Sequence, residues 1–131
     1  MLRRHPRQIL GGILAGLIVL IAGSASLPSS AAQQPDGKGI FEKRCGGCHA
    51  LDRDKEGPRL RGVYGRKAGA IDSFHYSDAL RNSKVVWSDE TLDRWLTDTE
   101  ELVPNNDMSF QVQSAGERMA IIAYLKESRG K

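Results

Sequence analysis

Cys45-Gly46-Gly47-Cys48-His49 is the stretch on which the fold turns. Its three reactive side chains stand at positions i, i+3 and i+4. At the end of a helix those positions share one face. Two thiols so placed can add across the two vinyl groups of one porphyrin, and the imidazole that follows reaches the iron from the same side. Gly46 and Gly47 leave room for the edge of the macrocycle against the backbone. C-x-x-C-H is the attachment signature of a c-type haem. Two other readings compete with it. A thioredoxin-like dithiol also uses C-x-x-C, in a βαβ context that this sequence lacks. A structural zinc site needs four ligands at paired spacing. Beyond the N-terminal segment the only thiol or imidazole candidates are Cys45, Cys48, His49 and a distant His75.

Working outward from the motif, three helices can be placed. The first spans about 37–45, is started by Pro35-Asp36, and turns Ile40, Phe41 and Cys45 toward one side. The second begins at Ser88, an N-cap followed by Asp89 and Glu90, which suit the positive end of the helix dipole. Its Leu92, Trp95 and Leu96 form one apolar stripe at i, i+3, i+4. The third begins at Ser114, where Ser114-x-x-Glu117 reads as a capping box. Met119, Ile122 and Leu125 continue that helix, with Ile121 and Tyr124 on the adjoining side. A short helical turn is expected at 77–81. Residues 52–75, with nine charges by Lys67 and four glycines, read as ordered loop. No stretch alternates as a strand does. The predicted fold class is all-α with long loops.

The chain has 131 residues, room for one ordinary domain. Its formal charge of +3 is misleading. Arg3, Arg4 and Arg7 precede any acid, and from Gln33 onward 16 basic residues balance 16 acidic ones. The basic excess belongs to the N-terminus and is no argument for nucleic acid. Behind those arginines, residues 9–22 form an apolar run, shorter than the ~20 residues of a comfortable bilayer span. Small and polar residues with Pro28 follow, then Ser30-Ala31-Ala32. Residues 1–32 are therefore predicted to be a secretory signal, with an uncleaved anchor as the alternative. Residues 33–131 form the exported domain, with a periplasmic location expected. About 99 residues make a marginal core. A disulfide between Cys45 and Cys48 would close too small a loop to help. A buried cofactor would supply the missing apolar volume.

The iron needs a second axial ligand from far along the chain. Met108 sits in the polar loop Val103-Pro104-Asn105-Asn106-Asp107-Met108, where a thioether has no packing reason to stand, and is favoured as that ligand. Met119, on the helical stripe, reads as core. His75 would instead give bis-histidine ligation.

The sequence resembles the class I c-type cytochromes, of the mitochondrial or soluble bacterial electron-carrier kind, over about residues 36–126. The resemblance is carried by Gly37-Lys38-Gly39-Ile40-Phe41 through His49, Gly57-Pro58-Arg59-Leu60, Gly65-Arg66-Lys67-Ala68-Gly69 and Tyr76-Ser77-Asp78-Ala79. It continues through Val86-Trp87, Glu90-Thr91-Leu92, Pro104…Met108, and Glu117-Arg118 to Ala123-Tyr124-Leu125. It implies a small cytochrome c fold, three main helices plus short helices and long loops wrapped around one covalently attached haem. It implies that Cys45 and Cys48 attach the haem c and that His49 and Met108 bind its iron. Pro58 would orient His49 through its carbonyl. Arg66, Tyr76 and Trp87 would hydrogen-bond a buried propionate. Trp95 would pack near the methionine sulfur, and Gly37, Phe41, Ile121 and Tyr124 would join the terminal helices. The sequence departs from the family in three places. Leu80 stands where many members carry a polar residue, Asn106 replaces a hydroxyl, and Glu100, Glu101 and Asp107 stand where mitochondrial relatives carry lysines.

The resulting expectation is a soluble, monomeric periplasmic one-electron carrier that exchanges electrons with redox protein donors and acceptors through transient contacts at the haem edge. No substrate pocket can be named, so no enzymatic activity is expected. The alternatives are a haem c subunit docked to a periplasmic oxidoreductase, possible membrane complexes being among the partners in either case, and a peroxidase-like enzyme with an open iron site. Residues 36–67 carry nine basic and five acidic side chains, and residues 68–131 seven and eleven, so the neutral domain should be a dipole.

Overall fold

Side chains at the helix starts decide where this chain begins to coil. The structure is a computed structural model that describes residues 36–130. The predicted signal segment, 1–32, lies outside the described residues. Asp36 caps α1 (Gly37–Arg44) by accepting the Gly39 N–H. Ser77 caps α2 (Asp78–Asn82) and Ser88 caps α3 (Asp89–Thr97). Asp98 ends α3 and at once caps α4 (Thr99–Leu102), accepting from Glu100 and Glu101 N–H. Ser114 caps α5 (Ala115–Glu127), and a short 3-10 turn, Ser128–Gly130, follows. The only β feature among the described residues is an isolated antiparallel bridge between Lys67 and Val86. The domain is all-α with long loops, as expected.

Three details differ from the sequence reading. The capping box lies at α3, where Ser88 and Thr91 exchange bonds, and not at α5. At α5 only Ser114 takes its part, because the Glu117 carboxylate turns away to pair with Arg44 at 2.8 Å. Cys45 is the cap of α1 and not its last turn. Met119 is no core residue: it is 64% exposed. The buried face of α5 is centred on Ile121 and Leu125. At 3.6 residues per turn, a residue two positions from Ile121 falls on the far side of the helix.

The terminal helices α1 and α5 pack on each other through Gly37 and an aromatic pair. A Cβ at Gly37 would collide with the Ala120 carbonyl and lie 3.0 Å from the Tyr124 Cβ. Phe41 and Tyr124 stack obliquely, 5.3 Å between centroids. With the Arg44–Glu117 pair this closes one side of the domain. Leu92, Trp95 and Leu96 of α3 and Ile121, Ile122 and Leu125 of α5 form the remaining core with Val63, Ala68, Trp87, Val103 and Val112.

Candidate functional site

That core lines an open cavity of about 700 Å³. Trp87, Leu92, Trp95, Leu96, Ile121 and Leu125 belong both to the core and to its wall. The volume lies within the ~300–1,000 Å³ usual for cofactor sites. Its wall is mainly apolar, a lining that suits a large apolar group.

The histidine segment is set locally. Beyond α1 the backbone makes one tight turn, in which the Cys48 and His49 N–H groups both donate to the Cys45 carbonyl, at 3.1 and 2.8 Å. The chain then doubles back. Gly57 N–H donates to Cys48 O, Leu60 to Ala50 O and Arg61 to Leu51 O. This brings Pro58 beside His49, and its carbonyl accepts from Nδ1 at 2.8 Å. Nδ1 therefore carries the proton, and the Nε2 lone pair is left for a metal. Burial lowers the His49 pKa, the Pro58 bond opposes that shift, and the Lys55 charge adds to it. The ring is held neutral, the form that ligates. A Cβ at Gly57 would lie 2.7 Å from Nδ1 and 2.8 Å from Nε2, so only glycine leaves space for the imidazole. That requirement was not read from the sequence, although Gly57-Pro58 was part of the resemblance.

Cys45, Cys48 and His49 all line the cavity. Burial pushes the Cys45 thiol up to about 11, against a smaller opposing effect of Arg44. A reactive dithiol needs the reverse shift. Among the described residues no three His, Cys, Asp or Glu side chains converge as a metal cluster either. Cys48 and Gly47 are exposed at the cavity mouth, and a Cβ at Gly47 would meet nothing within 4 Å. Gly47 thus has the open edge expected of it. Gly46 has another role: a Cβ there would strike the Glu42 carbonyl.

The polar residues meet through backbone pairing. Trp87 N–H donates to Arg66 O at 3.0 Å, and Gly65 N–H to Trp87 O at 2.7 Å. Arg66, Tyr76 and Trp87 all line the cavity, and the latter two are buried. The Arg66 guanidinium donates to the Arg61 and Arg59 carbonyls, both at 3.1 Å, and burial lowers its pKa. Those bonds use two of its five N–H donors. Burial raises the Tyr76 pKa, with Arg66 pulling the other way. Gly69, at φ +67, adopts a left-handed turn that rests on Leu80 and Arg81. Leu80 also faces the cavity, where it adds apolar surface. His75 lies exposed at the rim.

The methionine loop reaches the same cavity from the other end of the chain. Met108 and Trp95 both line it, and Trp95 lies 5.4 Å from Trp87 between ring centroids. Met108 is half-buried and is held by its backbone. Its N–H donates to Asn106 Oδ1 at 2.8 Å, and its carbonyl accepts from Thr99 Oγ1 at 2.6 Å. Glu100 does not stand free as a surface charge, because its carboxylate accepts from Asn105 N–H at 2.8 Å and Asn106 Nδ2 at 3.4 Å. Thr99, buried beneath the loop, was missed by sequence reading. A threonine after Asp98 carries no signal of its own until α4 is known to exist.

A covalently attached tetrapyrrole fits this site. Two thiols and a neutral imidazole line an apolar space, with a thioether and a basic and aromatic cluster in the same wall. Comparison with known proteins points the same way. Residues 35–129 match the family model described as Cytochrome c. The chain is 40% identical over 93 residues to cytochrome c of Euglena viridis, covering 69% of this chain and 91% of that protein. It is 42% identical over 94 residues to cytochrome c type-1 of Ascaris suum, covering 70% and 84%. Its fold superposes on cytochrome cH from Methylobacterium extorquens with a TM-score of 0.67 at 35% identity, covering 72% of this chain and 97% of that one. The fold and site define a haem c protein, and the chain belongs to the cytochrome c family. Its cofactor is haem c, joined through the two cysteines of the motif, Cys45 and Cys48.

Proposed function

We propose that the protein is a periplasmic one-electron carrier, exported by residues 1–32, whose iron is held by His49 and Met108. The observation that carries this reading is that both side chains line the cavity that Cys45 and Cys48 also line, with the His49 proton fixed on the Pro58 carbonyl. Haem c supplies a one-electron ferrous–ferric couple. The chain's part is to keep its ligands still and its pocket dry. His49 is oriented by Pro58 and confined by Gly57. Trp87, Trp95, Leu92 and Leu96 exclude water. A thioether ligand and an apolar surround favour the reduced state and raise the potential. Arg66, Tyr76 and Trp87 are suited to hold a propionate, because Arg66 keeps three donors beyond its two carbonyl bonds.

Exchange with partners would occur where Gly47 and Cys48 reach the surface, through small transient contacts. Among the described residues no helix is long and apolar enough to cross a membrane. No catalytic role is proposed, and a free carrier is favoured over a fixed subunit. The test is a visible spectrum with a redox titration of the purified holoprotein, alongside Met108→Ala. The reading requires a high potential that falls in the variant. An unchanged potential and spectrum removes Met108 from the ligand set. The mass of the protein recovered from periplasm reports whether residues 1–32 are cleaved. Elution as a monomer that reduces more than one acceptor separates a carrier from a docked subunit.

A further inference from the structure

We propose that Thr99 is a positioning residue: its buried hydroxyl, together with the Asn106–Glu100 pair, clamps the Met108 backbone and resists exchange of the thioether for an outside ligand. This rests on Met108 being the axial ligand.

Both backbone polar groups of Met108 are bound by side chains. Asn106 Oδ1 takes the N–H at 2.8 Å, and Thr99 Oγ1 donates to the carbonyl at 2.6 Å, with the Phe110 N–H a longer second donor at 3.2 Å. Asn106 is itself fixed, donating to the Val103 carbonyl at 2.9 Å and to Glu100. Asn105 turns the chain at φ 63, a left-handed conformation, and its N–H is held by the other Glu100 oxygen. Thr99 is 4% exposed and is one of two buried polar residues among those described. It opens α4, whose cap, Asp98, also ends α3, so its hydroxyl is anchored to the helix that carries Trp95 and Leu96. The ends of the loop are tied separately, Val103 N–H to Thr99 O and Val112 N–H to Leu96 O. Thr99 and Asn106 hold its middle. For imidazole to reach the iron, Met108 must swing away, and bonds that hold its backbone in place oppose that movement.

The experiment uses the ferric holoprotein and imidazole as the probe, followed by visible titration. Thr99→Val keeps the shape and removes the donor. It should bind imidazole about tenfold more tightly than the wild type, the scale of one lost buried hydrogen bond. Its potential should fall, and its sulfur-to-iron absorption should weaken. Thr99→Ser should restore all three toward wild type. Asn106→Ala should shift imidazole binding in the same direction, and it serves if Thr99→Val does not mature. Gly37→Ala, which strains the α1–α5 contact away from the loop, should leave imidazole affinity unchanged. If it matches Thr99→Val, general destabilisation is the cause and the clamp is refuted. Wild-type affinity in Thr99→Val or, failing that variant, in Asn106→Ala also overturns it. A wild-type protein without sulfur-to-iron absorption refutes the Met108 assignment first, which keeps the two failures distinct.

Discussion

The histidine segment and the methionine loop line one cavity but are held in different ways. His49 is confined by neighbours close in sequence: Cys45 and Cys48 in its own turn, Gly57 against its ring, and Pro58 on Nδ1. Met108 is held by bonds to its backbone, from Asn106 in its own loop and Thr99 beneath it. The first arrangement constrains a side chain by steric contact and a carbonyl. The second constrains a backbone and leaves a flexible thioether to find its own rotamer. The lesson is that the two sides should fail differently, one by losing the cofactor and the other by losing the tuning of it.

The largest expected effect comes from the histidine side. Replacing Cys45 and Cys48 together with alanine should abolish attachment, so that extraction with acid and organic solvent strips all colour. Colour retained in that extraction would break the comparison at its root. Met108→Ala should leave attachment intact and lower the potential by roughly 0.2 V, a fraction of the ~0.8 V range that axial ligands command. Gly57→Ala should drive a methyl into the His49 ring. We expect a loss of about 3 kcal/mol in denaturant unfolding of the holoprotein, typical of overpacking at a tight site. A neutral result would show that the imidazole is not confined as described. The smallest effect sharpens the contrast between methionines. Met119→Ala, at a position 64% exposed, should change stability by less than ~0.5 kcal/mol and leave the potential unaltered.

Much of this molecule could be read before any coordinates. Ser88, Ser114 and Asp36 announced their helices because a cap is a local hydrogen bond between a side chain and the backbone two or three residues on. The stripe Leu92, Trp95, Leu96 was legible because helical periodicity sorts faces by spacing alone. Met119 was misread for a related reason. Spacing gives a stripe but not its centre, which is set by what α5 packs on: α1 through Gly37 and Phe41 on one side, and the core around the cavity on the other. The second half of the expected box at Ser114 failed because Arg44, distant in sequence, attracted Glu117 more directly.

The motif and its neighbours, by themselves, determined the chemistry: two thiols and an imidazole at helical spacing admit few cofactors, whatever surrounds them. Tertiary structure alone decided how the methionine loop is held, because Thr99, Glu100 and Asn106 become partners only once α3, α4 and the loop are folded against one another. A cap or a spacing is a property of a few adjacent residues. A clamp between a buried hydroxyl and a carbonyl nine residues away exists only after the chain has closed around its core.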